Sequence, residues 1–250
     1  LSFAQGILAL DGGLLVTAAP DILLFHDRDG DGRFEERRVV ATGLPAKNPQ
    51  LRAACPKRGI DNWVSITGGL SGGSVNHPNA PKESAVSIDR RDFRIDLASG
   101  RIEPITGVGQ FGNAFDSIGR RYTSSNRNPS MVNRFSVASL SRNDLVDVGS
   151  GFEDASPFGA DSRVYPIAHT TATAASHTGT HTSACGIEIF RGDLLGQETV
   201  GDIFVCEPVS HLVTRRRPEY SGSSISSRHV EPDGTDFLAS TDSFFSPVFA

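Results

Sequence analysis

The sequence predicts an all-β protein, and within that class a partial, open β-propeller of four-stranded blades with long irregular loops. Three observations lead there. Glycine (26 residues) and proline (14) recur along all 250 residues, so regular elements are cut short throughout. Apolar residues fall in short alternating runs and no segment keeps a 3.6-residue apolar period, the pattern of strands with little helix. A loose repeat, in which Asp or Gly precedes a short apolar strand running into small polar residues, returns about every 50 residues in its first three copies, the period of a blade with some loop insertion.

In chain order the copies are Asp11-Gly12-Gly13-Leu14-Leu15-Val16-Thr17, Asp61-Asn62-Trp63-Val64-Ser65-Ile66-Thr67, Asp116-Ser117-Ile118-Gly119-Arg120-Arg121-Tyr122-Thr123, Gly201-Asp202-Ile203-Phe204-Val205-Cys206 and Asp236-Phe237-Leu238-Ala239-Ser240. Each is expected to be an inner strand. The outer strands fall between them: Ile22-Leu23-Leu24-Phe25 with Arg37-Arg38-Val39-Val40-Ala41, and Phe93-Arg94-Ile95-Asp96 with Ile102-Glu103-Pro104-Ile105 around the turn Ala98-Ser99-Gly100. Segments 141–161, 170–183 and 221–228 are polar, lack a core pattern and are expected to be irregular loops. A two-sheet sandwich would show the same alternation, but the acidic hairpin described next and the Asp-led strand starts favour the propeller.

The stretch Asp27-Arg28-Asp29-Gly30-Asp31-Gly32-Arg33-Phe34-Glu35-Glu36 separates two of these strands. Carboxylates at alternate positions repel one another without a counter-ion, and Gly32 lets the backbone turn so that Asp27, Asp29 and Asp31 face one point. That is the oxygen-rich chemistry of a Ca²⁺ site. A helix-loop-helix EF-hand fails, because the twelfth loop position is Arg38 and not a bidentate Glu. A strand-loop-strand site remains, completed by the carbonyl of Arg33 and the carboxylate of Glu35 or Glu36, with a structural role. The alternative is a solvated Asp-Gly turn without metal.

A chain of 250 residues can bury a sizeable core, and one all-β domain of that length is ordinary. The net charge is -5 and basic residues are scattered except at Arg37-Arg38 and Arg215-Arg216-Arg217, so nothing suggests a nucleic-acid partner. The arginine triplet reads as a solvated strand end or turn, with binding of an anionic ligand as the alternative. No apolar run is long enough to span a bilayer. A propeller ring needs more blades than this chain supplies. The start at Leu1 without methionine and the end at Phe249-Ala250, just after a strand-like pattern, likewise lead us to expect an incomplete domain, 1–250, from a longer protein. Cys55, Cys185 and Cys206 form no Cys-x-x-Cys pair and are expected to be buried free thiols, with a Cys185–Cys206 disulfide as the alternative in an exported protein.

His177, His181 and Cys185 are spaced at i, i+4 and i+8, which would suit zinc on one face of a helix, but Thr178-Gly179-Thr180 is a poor helix. The expectation is a loop hydrogen bond for His181 and a small buried side chain for Cys185. Propeller ligands bind where inner strands end, which singles out Ser125-Asn126-Arg127-Asn128-Pro129, Glu207-Pro208 with Ser210-His211, and Asp242. The same residue types also hydrogen-bond their own turns, so both roles stand. The general-base types available are His181, His211, Glu207 and Asp61. Neither a dinucleotide-binding nor a Walker glycine pattern occurs, and no Gly-x-Ser-x-Gly elbow, so nicotinamide, nucleotide and hydrolase chemistry have no support.

Several stretches together carry a family resemblance: Asp27 to Glu36, Asn48-Pro49-Gln50, Gly59-Ile60-Asp61-Asn62-Trp63, Arg91-Asp92-Phe93-Arg94, Gln110-Phe111-Gly112, Ser125 to Pro129, Val164-Tyr165-Pro166-Ile167, His181 to Arg191, Cys206-Glu207-Pro208 and Phe237 to Asp242. The chain resembles the propeller domain of the bacterial membrane-bound dehydrogenase, or PVC-type haem-binding, proteins, relatives of quinoprotein glucose/sorbosone dehydrogenases. The resemblance implies a periplasmic or secreted propeller that oxidises a sugar or alcohol with pyrroloquinoline quinone. Electrons would pass to a c-type haem on a cytochrome domain outside this chain. On that view His181 and Glu207 are catalytic and Arg52, Asn126, Arg127 and Asp61 hold the cofactor. Many members carry His-x-x-Asn after Asn-Pro-Gln, where this chain has Leu51-Arg52-Ala53-Ala54. The rival reading is a non-catalytic, calcium-stabilised propeller that binds carbohydrate or a protein partner.

Overall fold

The structure, a computed structural model, describes residues 3–142, 145, 151–157, 159–170 and 177–249. It is all-β, built of antiparallel sheets none of which closes on itself. The chain divides into two compact units, Leu1–Gln110 with Ser136–Asp144, and Phe111–Phe135 with Leu145–Ala250.

In the first unit β1 (Gly6–Leu10), β2 (Gly13–Ala18), β3 (Asp21–His26) and β4 (Glu36–Ala41) follow one another across a four-stranded meander. Leu15 lies opposite Leu24 and Thr17 opposite Ile22, so the alternation of the sequence becomes one shared buried face. A second sheet comprises β5 (Ala54–Arg58) and β6 (Val64–Thr67); after the short pair β7 (Ser74–Val75) and β8 (Val86–Ser87) it is completed by β9 (Asp92–Ile95) and β10 (Ile102–Ile105). Leu15, Ile22, Leu24 and Val40 pack with Val64, Ile66, Phe93 and Ile95 in one core. Burial of each large apolar side chain contributes roughly 1.5–3 kcal/mol. First strands meet as well: β1 runs so close to β5 that a side chain at Gly6 would collide with Cys55 and Pro56.

In the second unit β11 (Gly112–Phe115), β12 (Arg121–Ser125), β13 (Asn128–Asn133) and β14 (Phe152–Asp154) form one sheet. The other contains β15 (Cys185–Ile189), β16 (Ile203–Glu207), β17 (Leu212–Ser221) and β18 (Ser224–His229), with β19 (Leu238–Ala239) paired to β17. Tyr122, Val132, Ile187, Ile189, Ile203, Val205 and Ile225 are the large members of the core they share. Here too the first strands lie side by side, and Gly186 N–H donates to the Phe111 carbonyl at 2.8 Å. Helix is scarce among the described residues, as expected: α1 (Val137–Leu140), which belongs to the first unit, is a single turn capped by Ser136.

The expected pairings of β3 with β4 and of β9 with β10 are present. The first four repeat copies are the second strand of their sheets, flanked on both sides. Of the strands before them, β5 has no bulky apolar residue and β15 has only Ile187 and Ile189, and both leave a weaker signal than the strands that follow them. Two expected loops contain strands. Residues 221–228 hold the end of β17 and all of β18 but His229, and 141–161 contain β14, with 143–144, 146–150 and 158 outside the described residues. No helix among the described residues is long and apolar enough to cross a membrane.

Candidate functional site

The acidic loop joins β3 to β4. One carboxylate oxygen from each of Asp27, Asp29, Asp31 and Glu35 lies within 4.8 Å of the others. Backbone N–H groups hold them there. Gly30 and Gly32 donate to the two oxygens of Asp27 at 2.7 and 2.9 Å, Asp31 to Asp29 at 3.2 Å, Arg33 to Asp31 at 2.7 Å and Arg28 to Glu35 at 2.8 Å. Gly30 and Gly32 sit at φ of 76° and 87°, where a side chain would strain the loop. Like charges about 4 Å apart repel by about 1 kcal/mol even in bulk water. A donor set made only of oxygens, preorganised in this way, fits a hard cation.

Glu36 is outside the cluster, although the sequence allowed it as a ligand. It opens β4 and pairs with the Arg28 guanidinium, which holds its carboxyl below the usual range. Arg33 enters the loop through its backbone N–H.

Also in the first unit, Arg52 precedes β5 beneath a tightly folded segment. Leu70 N–H and Ser71 N–H both donate to the Leu51 carbonyl at 3.2 Å, and the Ser71 hydroxyl does so at 2.8 Å. Gly69, at φ 67°, passes over Leu51 and Arg52 where no Cβ fits. Buried Asp92 ties the surrounding chain by accepting from Gly68 N–H at 2.8 Å and Gly109 N–H at 3.2 Å. Arg52 donates from Nη2 to the Ala46 carbonyl and lies 5.2 Å from the Phe3 ring centre, while its buried Nε has no partner among the described residues. Asp61 is not beside it. It follows β5 rather than preceding it, about 13 Å or more along that strand. There its two oxygens accept from Trp63 N–H at 3.2 Å and Arg94 at 3.0 Å.

In the second unit His181 and Glu207 do come together. His181 Nδ1 lies 3.1 Å from Glu207 Oε2, which also accepts from the N–H groups of Thr182 and Ser183 at 3.1 and 3.0 Å. Ser183 Oγ donates to Oε1 at 2.5 Å, and His181 Nε2 faces Thr214 Oγ1 at 3.3 Å. Burial pushes the Glu207 carboxyl up, but bonds from His181 and Ser183 outweigh it and hold it below the ordinary range. Both side chains are wholly buried, so this pair ties the loop before β15 to the end of β16 and presents no atom to a substrate. Asn126 and Arg127 turn β12 into β13; Asn126 is exposed and accepts Ala184 N–H on its carbonyl at 3.0 Å, while Arg127 is half-buried. Asp242 accepts from Phe244 N–H in its own turn at 2.9 Å.

The zinc spacing does not assemble. His177 bonds Thr182 Oγ1 at 2.8 Å, His181 faces Glu207, and Cys185 Sγ points to the carbonyls of Cys206 and Pro247. All three cysteines are free thiols; Cys185 and Cys206 are buried opposite one another, and Cys55 is half-buried. Burial pushes the Cys206 thiol up to about 11. The arginine triplet is not a solvated strand end. It lies within β17, where alternation sends Arg215 and Arg217 to buried Asp202, at 2.6 and 2.8 Å, and Arg216 inward.

Fold and loop together define an all-β chain of antiparallel sheets, mostly four-stranded, with a clustered acidic loop in the first. More particularly, the chain belongs to the family described as Domain of unknown function (DUF7133), whose match covers residues 1–250. No curated protein matches it.

Proposed function

We propose that this chain is a calcium-stabilised segment of a β-propeller in an exported protein, serving as a non-catalytic scaffold that binds carbohydrate or a protein partner. The observation that carries it is the convergence of Asp27, Asp29, Asp31 and Glu35, held by five backbone N–H bonds. The consecutive meanders, with first strands packed together inside each unit, support the propeller. Against turnover stands the sealed His181–Glu207 pair, since a general base must reach the proton it removes.

One observation favours a second reading. The unpartnered Nε of buried Arg52 suits an anionic cofactor such as pyrroloquinoline quinone, as in a sugar or alcohol dehydrogenase that passes electrons to a c-type cytochrome domain. Asp61, turned away and engaged by Arg94, does not fit that role.

The test melts the protein with Ca²⁺ and with chelator, then assays dye reduction with quinone, Ca²⁺ and a panel of sugars and alcohols. The scaffold reading expects a Ca²⁺-dependent rise in melting temperature and no turnover. An unchanged melting temperature removes the calcium, and dye reduction restores the dehydrogenase.

A further inference from the structure

Arg216 is 2% exposed, and two of its three guanidinium nitrogens are spent on one residue: Nε donates to Ser227 Oγ and Nη2 to the Ser227 carbonyl, both at 3.0 Å. Ser227 is itself fixed by Ser156 and by the Ala155 carbonyl. Nη1 has no hydrogen bond and no ion pair among the described residues. Burial pushes the group down to about 10, far enough above neutrality that it remains charged. A buried charge without a counter-ion costs several kcal/mol.

The carboxylates whose field reaches Arg216 do not supply that counter-ion. Asp236 spends its oxygens on His229 Nε2 at 2.8 Å and Tyr165 N–H at 2.6 Å. Asp154 spends its own on Asn128 and on Ser156 N–H. Asp161 makes no hydrogen bond among the described residues, is exposed, and lines the same space as Arg216.

That space is a cavity of about 480 Å³ in the second unit, within the range of small-ligand sites. Its lining includes Arg228 and Glu219, paired at 2.9 Å, and Tyr165, whose ring is set edge-on to His229. Setting that pair and the His229–Asp236 pair aside, the lining leaves Arg216 and Arg163 as cations and Asp161 and Asp233 as acceptors that are open among the described residues. An inorganic anion would satisfy the guanidinium and repel the carboxylates. A neutral sugar would do the reverse. One carboxylate joined to several hydroxyls satisfies both.

We propose that this cavity binds a small acidic sugar, a hexuronate, with its carboxylate on Arg216 Nη1, its hydroxyls on Asp161 and Asp233, and its ring against Tyr165. The proposal deepens the scaffold reading and rests on it, naming where and what the chain binds. The two fail separately, because calcium is read from melting and the sugar from binding heat.

The test is isothermal titration of the whole chain with D-glucuronate and D-galacturonate, with D-glucose and acetate as controls. At least one uronate is expected to bind ten-fold or more tightly than both controls. Arg216→Lys should abolish binding. Should that variant not fold, Asp233→Asn, in an exposed loop, should weaken binding five-fold or more with an unchanged melting temperature. Absence of uronate binding, equal binding of acetate or glucose, or parental affinity in Asp233→Asn would overturn the assignment.

Discussion

His181 Nδ1 and Glu207 Oε2 lie 3.1 Å apart with neither side chain exposed, and the carboxylate takes three further hydrogen bonds from Thr182 and Ser183. Replacing one partner leaves buried polar groups unmatched, so Glu207→Ala should lose about 3–5 kcal/mol in urea unfolding. The acid limb follows from the lowered Glu207 carboxyl. Its stabilisation is complete above the unfolded value of about 4.3 and is lost as pH falls through the folded one. Glu207→Gln should therefore show a flatter loss of stability on acidification than the parent.

His229 runs the other way. Its hydrogen bond to Asp236 raises its pKa against the opposing effect of burial. That stabilisation is full below the unfolded value of about 6.5 and is lost as pH rises through the higher folded value. Melting at about pH 6 and about pH 8 should show the parent losing more stability across the interval than Asp236→Asn.

Calcium at about a hundred times its dissociation constant should add about 2.7 kcal/mol, which for a chain of this size is roughly 5–10 °C in melting temperature. Glu35→Gln should reduce that increment and Glu36→Gln should leave it, because Glu36 is committed to Arg28. Equal effects of the two changes would place Glu36 in the ligand set.

Gly69→Ala should destabilise the first unit by about 1–3 kcal/mol, since it adds both a left-handed strain and a clash with the Leu51 and Arg52 carbonyls. Denaturant titration measures it. A neutral result would mean that the 68–73 segment moves without cost.

Strong apolar alternation made β2, β3, β6, β9 and β16 readable from the sequence, and the charge spacing of Asp27, Asp29 and Asp31 made the acidic loop readable. β18 was missed because Ile225 is its only apolar residue and the half of β17 that pairs with it, Arg216–Ser221, is mostly polar. A cue existed in Gly222-Ser223, a two-residue hairpin turn with Gly222 at φ 58°. The Arg216 cavity was missed for a related reason: three adjacent arginines suggest a solvated surface unless strand alternation is imposed on them. Sharing one end of a strand cannot be read from residue type, so Arg52 and Asp61 were grouped although β5 separates them.

Arg215, Arg216 and Arg217 also act as a lock on pairing. Were β17 to slip by one residue, two guanidiniums would be driven into the serine nest, while Asp202 would keep a single cation in place of two. Misalignment is thus penalised by electrostatics in a hairpin too hydrophilic to be aligned by oily contacts. Such a ribbon should zip late in folding and in one frame only.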